Sequence, residues 1–366
     1  MNVNVSDLDF QQISAGLDRK FLAIQFGGSV RLALYRRIVS LLAYGIPLMR
    51  VMEQVLEAYA KRKLDKKVGA RVLGIVYQQM RHATGGVVFA DSLRGWAPDA
   101  ELMLINAGER SGDIERGLLE AIFVNESLTR IKSAVIGAVS YPLVLTIILM
   151  GLYMLFALMI LPRIETLMPL EQWPALSQTM HAVLTFIRVF GLYVVALIGV
   201  LIVVIAIAMP RFTGPVRTVL DRYYPFSIYR VISGAGFLVG LSAMLEAGVK
   251  MRDSLVQLRS NSSPYIAWHI DTIMQRMATG ESSGSALDTG LFNEETSISL
   301  EIFGDSGSFE ESMKILGREA VENTVGWIKS VGQVLTTSGV VAIGGSLVFL
   351  LGGFYQLIQE VKNLAG

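Results

Sequence analysis

The sequence contains no cysteine and little that points to catalysis. Without cysteine among its 366 residues, disulfides, thiolate metal sites and cysteine nucleophiles are excluded. The three histidines, His82, His181 and His269, lie far apart, and none has a metal-ligand partner three or four residues away. No Gly-x-x-x-x-Gly-Lys-Ser/Thr loop occurs to cradle a phosphate, and no nucleophile–base pair stands out. The sequence therefore predicts a protein that is not an enzyme and needs no cofactor.

Charge is also scarce, because only 17% of the residues are charged, against roughly 25% in soluble domains. The deficit falls in residues 133–162, 189–210 and 330–359, stretches of 30, 22 and 30 residues without Asp, Glu, Lys, Arg or His. A helix of thirty residues spans ~45 Å, more than the ~30 Å hydrocarbon core of a bilayer. The three stretches are therefore predicted transmembrane helices, and the predicted fold class is an all-α polytopic membrane protein.

Basic residues are distributed unevenly around these stretches. Residues 1–132 hold 18 of the 32 Lys and Arg residues, whereas residues 163–188 hold 2. Arg211 and Arg217 directly follow the second stretch. The N-terminal residues are polar and partly acidic without an apolar core, so we expect no secretory signal peptide there. Because basic flanks stay in the cytoplasm, the predicted topology has a cytoplasmic N-terminus and a periplasmic C-terminus.

These boundaries divide the chain into eight predicted segments. They are an N-terminal arm (1–29), a first cytoplasmic helical bundle (30–132), the first transmembrane helix (133–162), a short periplasmic connection (163–188), the second transmembrane helix (189–210), a second cytoplasmic bundle (211–329), the third transmembrane helix (330–359) and a periplasmic tail (360–366). In the first bundle, apolar residues between 30 and 42 share one helical face. Gly45 and Pro47 are suited to end that helix and to begin the next one.

Much of the first bundle recurs after the second uncharged stretch. Four matches occur in the same order, and they pair residues 244–251 with 41–48, residues 278–280 with 83–85, residues 285–287 with 91–93, and residues 302–307 with 105–112. In the first match Gly248 stands where the first copy has Gly45, at an offset of 203. The fourth match brings Gly304 and Gly307 into the segment that corresponds to Gly108 and Gly112. The shared order predicts a duplication of the cytoplasmic bundle.

The sequence resembles the GspF/PilC family, the polytopic inner-membrane platform proteins of type II secretion and type IV pilus machines. Three motifs carry the resemblance: Leu-x-x-Gly-x-Pro-Leu at residues 42–48, Gly-Glu-x-x-Gly at 108–112 followed by Asp113 and Ile114, and Tyr141-Pro142 with Pro162-Arg163 at the exit of the first apolar stretch. It covers roughly residues 30 to 360. The second copy departs from the pattern, with Lys250 in place of Pro47 and a shortened Gly-Asp-Ser-Gly, which suggests a divergent branch of the type IVb pilus kind.

The resemblance implies a non-enzymatic platform in the bacterial inner membrane, with no nucleic-acid partner. The implied partners are a hexameric cytoplasmic assembly ATPase, pilin or pseudopilin subunits, other inner-membrane assembly proteins and the lipid bilayer, and the implied state is a homo-oligomer. The choice between pilus and secretion system is left open. The alternative function is a membrane subunit of an ATPase-driven transporter, although transport paths commonly place ionisable residues inside the spans.

Two groups of residues are candidates for partner binding. The first, which we call the basic cluster, contains Lys61, Arg62, Lys63, Lys66 and Lys67. It could dock an acidic partner or anionic headgroups, and a solvated helix end is the alternative. The second is Glu109 with Asp113, for which a helix-to-helix turn is the favoured interpretation, since Asp113 can cap the following helix. The resemblance links acidic residues of this region to a divalent ion, without assigning ligands.

Tyr141-Pro142 is the motif inside the first predicted transmembrane helix. Proline removes one helical hydrogen bond and would kink this helix. Prolines are common in membrane helices, where neighbouring helices accommodate them. The favoured interpretation is therefore helix packing, and a moving part is the alternative.

Overall fold

The computed structural model describes residues 16–82, 88–166, 169–292, 294–304 and 309–365. Helices supply the regular structure of these residues, apart from an isolated bridge between Arg94 and Ala97. The all-helical prediction is confirmed. Four helical stretches are long and apolar enough to cross a membrane, whereas the sequence analysis predicts three. The additional one is Phe226–Glu246.

The described residues form sixteen α-helices. In chain order they are α1 (Gly16–Gln25), α2 (Gly28–Leu42), α3 (Leu48–Lys61), α4 (Val68–His82), α5 (Phe89–Ser92), α6 (Asp99–Ser111), α7 (Ile114–Leu155), α8 (Leu161–Glu165), α9 (Ala175–Arg211), α10 (Pro215–Leu220), α11 (Phe226–Glu246), α12 (Met251–Ser260), α13 (Pro264–Ala278), α14 (Ser283–Leu287), α15 (Glu294–Gly304) and α16 (Phe309–Ala365). A π-helical turn, Phe156–Ile160, joins α7 to α8, and a 3₁₀ turn, Leu170–Gln172, precedes α9.

The helices divide into two compact units. The first unit comprises Met1–Ile131 and Phe212–Thr324, so it holds nearly all of both copies of the predicted repeat. Helix α6 of the first copy packs on α11 of the second. More than half of the most apolar stretch of α11 is buried, 56%, against 6%, 0% and 6% for the other three apolar helices. Helix α11 is therefore the central core helix of the second copy in this unit.

The second unit comprises Lys132–Arg211 and Val325–Gly366 and contains the three uncharged stretches. It has a small core of its own, made of Ala157, Leu161, Ile164, Trp173, Met180, Leu184, Leu350 and Leu357. Ser177 donates a hydrogen bond of 2.7 Å to the carbonyl of Gly353 beside this core. Because Met180 and Leu184 pack here, α9 begins at Ala175, well ahead of the predicted start at residue 189.

Pro142 lies inside α7 without ending it. A proline at this position cannot donate to the carbonyl of Ala138, one turn earlier. Helix α16 packs closely at the same turn, where an ideal Cβ on Gly332 would lie 2.6 Å from the Cβ and 3.3 Å from the carbonyl oxygen of Ala138. Only glycine permits this approach, which is typical of helix packing in membranes.

Candidate functional site

The turn that joins two helices in each copy has the same backbone conformation in both. Gly45 and Gly248 are left-handed, with φ of 73° and 84°, where glycine is favoured. Pro47 precedes α3 with φ −58° and ψ 142°, and Lys250 precedes α12 with φ −62° and ψ 147°. Lys250 thus adopts the conformation that the proline ring fixes in the first copy. The departure from the motif leaves the turn unchanged.

All five residues of the basic cluster are exposed, at the end of α3 and in the loop before α4. Lys63 is left-handed, with φ of 56°, which turns the chain sharply after α3. Lys61 has an ion pair of 3.9 Å with Glu57, between partly exposed side chains. Such a surface pair contributes little. The loop therefore presents a concentrated positive charge to solvent.

A cleft of about 510 Å³ opens beside this loop. It is lined by Arg37, Ser40, Leu41, Gln54, Val55, Ala58, Tyr59, Arg62 and Leu64. The guanidinium of Arg37 lies 5.2 Å from the ring centre of Tyr59 and also donates to its hydroxyl. Arg62 belongs both to the cleft and to the basic cluster. The cleft thus combines apolar walls with two guanidinium groups, and suits a segment that carries acidic and apolar side chains.

Both carboxylate oxygens of Glu109 accept hydrogen bonds from the protein's own backbone. Its Oε1 accepts a hydrogen bond of 2.7 Å from the N–H of Phe89, and its Oε2 accepts one of 3.1 Å from the N–H of Ala90. Phe89 and Ala90 are the first residues of α5, whose N–H groups have no partner inside the helix. The carboxylate of Glu109 therefore caps α5 from α6.

The rest of the Gly-Glu-x-x-Gly motif builds the turn between α6 and α7. Gly112 is left-handed, with φ of 81°, and ends α6. The Oδ1 of Asp113 accepts a hydrogen bond of 3.0 Å from the N–H of Arg116 and caps α7. Gly108 has no room for a side chain, since an ideal Cβ would lie 2.7 Å from the Cα of Gly117. This geometry supports the turn interpretation of the motif.

In the second copy, Gly304 also lies at a contact too close for a side chain. An ideal Cβ on Gly304 would lie 2.4 Å from the Cα of Gly284, in α14. The corresponding Gly108 packs on the helix that follows it, whereas Gly304 packs on the helix that precedes its own. Gly307, the other glycine of this predicted motif, lies outside the described residues.

A buried ion pair that the sequence analysis missed ties the first copy together. Glu101 of α6 accepts two hydrogen bonds of 2.9 Å from Arg31 of α2. Tyr35 donates to the same carboxylate at 3.1 Å, and Asn125 of α7 donates at 2.8 Å. Burial, followed by the charge of Glu101, raises the pKa of Tyr35. One carboxylate thus joins three helices.

A second buried pair holds the start of the second copy. Arg217 of α10 lies 2.6 Å from Asp221, and Tyr265 donates a hydrogen bond of 3.0 Å to the same carboxylate. The guanidinium of Arg217 stacks 4.6 Å from the ring centre of Phe226 and 4.5 Å from that of Tyr265. Burial raises the pKa of Asp221, and the charge of Arg217 only partly opposes this.

His269 lies buried next to this pair and is neutral. Its Nδ1 is 2.8 Å from the Oγ1 of Thr289. Burial, and then the positive charges of Arg217 and Arg230, lower the pKa of His269 to about 4. Among the described residues, no three His, Asp or Glu side chains come together as a metal site. His269 is therefore a packing residue in a positively charged setting.

The lowered pKa predicts a loss of stability in acid. An unfolded histidine takes up its proton near pH 6.5, but the folded His269 does so only near pH 4. The stability that is present above pH 6.5 is therefore lost as the pH falls from 6.5 towards 4. The total loss is roughly 3 kcal/mol. We expect His269→Gln to lose less melting temperature between pH 7.5 and pH 5 than the unaltered protein in lipid nanodiscs. His82→Gln, at an exposed histidine outside this setting, is measured alongside as the matched substitution. Equal acid sensitivity of His269→Gln would contradict the assignment.

Most of the chain is similar in sequence to known proteins. Residues 34–162 match the family model described as type II secretion system (T2SS), protein F. The chain is 24% identical over 336 residues to the toxin coregulated pilus biosynthesis protein E of Vibrio cholerae. This alignment covers 91% of this chain and 97% of that protein. It is 21% identical over 349 residues to the type IV pilus assembly protein PilC of Pseudomonas aeruginosa. This second alignment covers 90% of this chain and 89% of that protein.

The chain is thus similar, over nine-tenths of its length, to proteins of pilus machines, and residues 34–162 match a domain of secretion machines. The chain carries a type II secretion F domain and is homologous to the GspF/PilC family proteins of type IV pilus and type II secretion systems. The family resemblance read from the motifs is confirmed.

Proposed function

We propose that this protein is the inner-membrane platform of a type IV pilus or type II secretion machine, and that it couples a cytoplasmic assembly ATPase to the assembly of pilin or pseudopilin fibres. The observation that carries this proposal is the match over nine-tenths of the chain to two proteins named for pilus biosynthesis and pilus assembly. Both names favour the pilus over the secretion system. The platform acts by binding its partners and not by catalysis.

The proposed topology keeps three transmembrane helices, over residues 133–162, 189–210 and 330–359. The low burial of the three corresponding apolar helices supports it, because side chains that face lipid have no protein neighbours. The high burial of α11 supports its assignment to the cytoplasmic core instead. Both repeats and the N-terminus then lie in the cytoplasm, and the C-terminus lies in the periplasm. The platform is expected to be a homo-oligomer.

The basic cluster and the adjoining cleft are the proposed ATPase contact. Both lie on the first copy, on helices α2 and α3 and the loop after them. Complementary charge speeds association and selects partners, and the apolar walls of the cleft add a surface that excludes water. Anionic lipid is the competing ligand for the same cations. Glu109 and Asp113, in contrast, are proposed to support the fold, since both cap helices.

A binding measurement tests this contact. The full-length protein in nanodiscs is mixed with the assembly ATPase of the same cell, and affinity and ATP turnover are measured. We expect Lys63→Glu/Lys66→Glu to weaken binding by about tenfold or more, as charge reversal at an interface does. The matched control, Lys250→Glu/Arg252→Glu, makes the same charge change at exposed residues of the second copy and should bind normally. Equal loss in both variants, or in neither, would contradict the assignment.

A further inference from the structure

An exposed apolar and aromatic surface follows α9. Phe212, Val216, Val219, Tyr223 and Tyr224 leave 40%, 61%, 58%, 64% and 65% of their surface uncovered, and we call them the 212–224 stripe. Val216 and Val219 lie three residues apart on α10, so they share one face of that helix. Contiguous exposed apolar patches are rare on soluble proteins unless a partner or a membrane covers them. This stripe therefore needs a covering surface.

The segment that carries the stripe is anchored by buried side chains on its inner side. Arg217 and Asp221, on the other side of the same segment, are buried and lie 2.6 Å apart. Tyr265 of α13 donates to Asp221 at 3.0 Å and stacks on Arg217 at 4.5 Å. This buried pair fixes the backbone of residues 217–221 to the core of the second copy. The outward side chains are thus presented on a rigid support.

The position of the stripe in the chain favours the bilayer as its covering surface. Phe212 follows Arg211, the last residue of α9, directly in the chain, and Val216 is five residues from that end. Five residues reach roughly 18 Å at most, so Val216 cannot leave the vicinity of the membrane that α9 is proposed to cross. Tyr223 and Tyr224, with Arg211 and Arg222 close by in the chain, give the tyrosine and arginine composition that membrane interfaces favour.

We propose that the 212–224 stripe lies in the headgroup region of the cytoplasmic leaflet and seats the second copy of the bundle against the membrane. The proposal rests on the proposed function, because it requires α9 to be a transmembrane helix. It adds a lipid contact made by a cytoplasmic domain, separate from the three proposed transmembrane helices. Through the buried Arg217–Asp221 pair, the position of the second copy would be tied to the bilayer surface.

The absence of cysteine allows a direct test on the full-length chain. Val219→Cys provides a single site for an environment-sensitive fluorophore. The labelled protein is placed in nanodiscs of phosphatidylethanolamine and phosphatidylglycerol, some of whose lipids carry a nitroxide below the headgroup. The matched control is Val256→Cys, a valine on α12 that is 51% exposed. We expect lipid quenching at least about threefold stronger at position 219 than at position 256, and weaker quenching by aqueous iodide.

Val200→Cys, in the middle of α9, separates this inference from the proposed function. Strong lipid quenching at position 200, with position 219 behaving like position 256, would overturn the stripe's role while the transmembrane helix stands. A label at position 219 that is shielded from both quenchers would also overturn it, since a protein partner or a second copy would then cover the stripe. A lack of lipid quenching at position 200 would refute the proposed topology, and the inference with it.

Discussion

Glu101→Ala is expected to lower the free energy of unfolding of the first copy by about 3–5 kcal/mol, because removing one member of a buried ion pair leaves the other charge without compensation. Arg31 would keep only the carbonyl of Phe26 as a hydrogen-bond acceptor in this contact, at 2.8 Å. Tyr35 and Asn125 would lose their acceptor as well. Thermal melting of the full-length protein in nanodiscs, together with proteolysis of the first copy, measures the effect.

Glu126→Ala is the matched control. Glu126 of α7 pairs with Arg36 of α2, but the two side chains are 30% and 58% exposed. Surface pairs of this kind contribute about 0–1 kcal/mol, so Glu126→Ala should melt close to the unaltered protein. A double variant, Arg31→Met/Glu101→Leu, should recover part of the stability, because it removes both charges and keeps their volume, while Tyr35 and Asn125 still lack their acceptor. Equal effects of Glu101→Ala and Glu126→Ala would refute the assigned role of Glu101.

Gly284→Ala should be the other strongly destabilising substitution. An ideal Cβ on Gly284 would lie 2.0 Å from the carbonyl oxygen of Leu300 and 2.5 Å from the Cα of Gly304. These are backbone atoms, so α14 and α15 would have to move apart, at a cost of about 3 kcal/mol or more. The lost contact should appear as a lower melting temperature and a smaller yield of folded protein in nanodiscs.

Gly326→Ala provides the comparison for this substitution. Gly326 also lies within a helix, but an ideal Cβ there meets nothing within 4 Å. Replacing a helical glycine with alanine where space allows stabilises a protein by about 0.4–1 kcal/mol. Equal melting temperatures of Gly284→Ala and Gly326→Ala would contradict the close packing of α14 against α15.

The sequence was sufficient for the long helices and for the turns. An uncharged run of twenty or thirty residues leaves few alternatives to an apolar helix, so residues 133–162, 189–210 and 330–359 all lie in long helices of the structure. Gly45 is predicted at the end of its helix because a left-handed turn strongly favours glycine, and Gly248 is predicted from the match to the first copy. The repeated order of these motifs also pairs Gly304 with Gly108, and this pairing stays a prediction.

The buried polar contacts and one helix start could not be predicted. Glu101 is an acidic residue in the first turn of α6. Acidic side chains are favoured there because they oppose the positive end of the helix dipole, so the sequence predicts an ordinary surface residue. Its partner Arg31 lies 70 residues away, on the polar side of an amphipathic helix. The start of α9 depends on the apolar cluster that includes Leu350, from the other end of the chain. Such contacts depend on tertiary packing and leave no periodic signal.

Phe226–Glu246 shows a further limit of hydropathy. It has the length and composition of a membrane-crossing helix, yet it forms the core of the second copy. Composition cannot distinguish a side chain that faces lipid from one that faces a protein interior. Leu238, Leu241 and Met244 are buried in the structure, so these side chains face the protein interior.

The most direct test of the central claim is fibre assembly in cells that make the machine. The chromosomal copy is deleted, and surface fibres are counted after complementation with the unaltered protein or with Lys63→Glu/Lys66→Glu. The platform account predicts that the deletion abolishes fibres while pilin accumulates in the inner membrane, and that only the unaltered protein restores them. Both proteins must be present in the membrane at equal levels. Normal fibre numbers in the deletion strain would contradict the account.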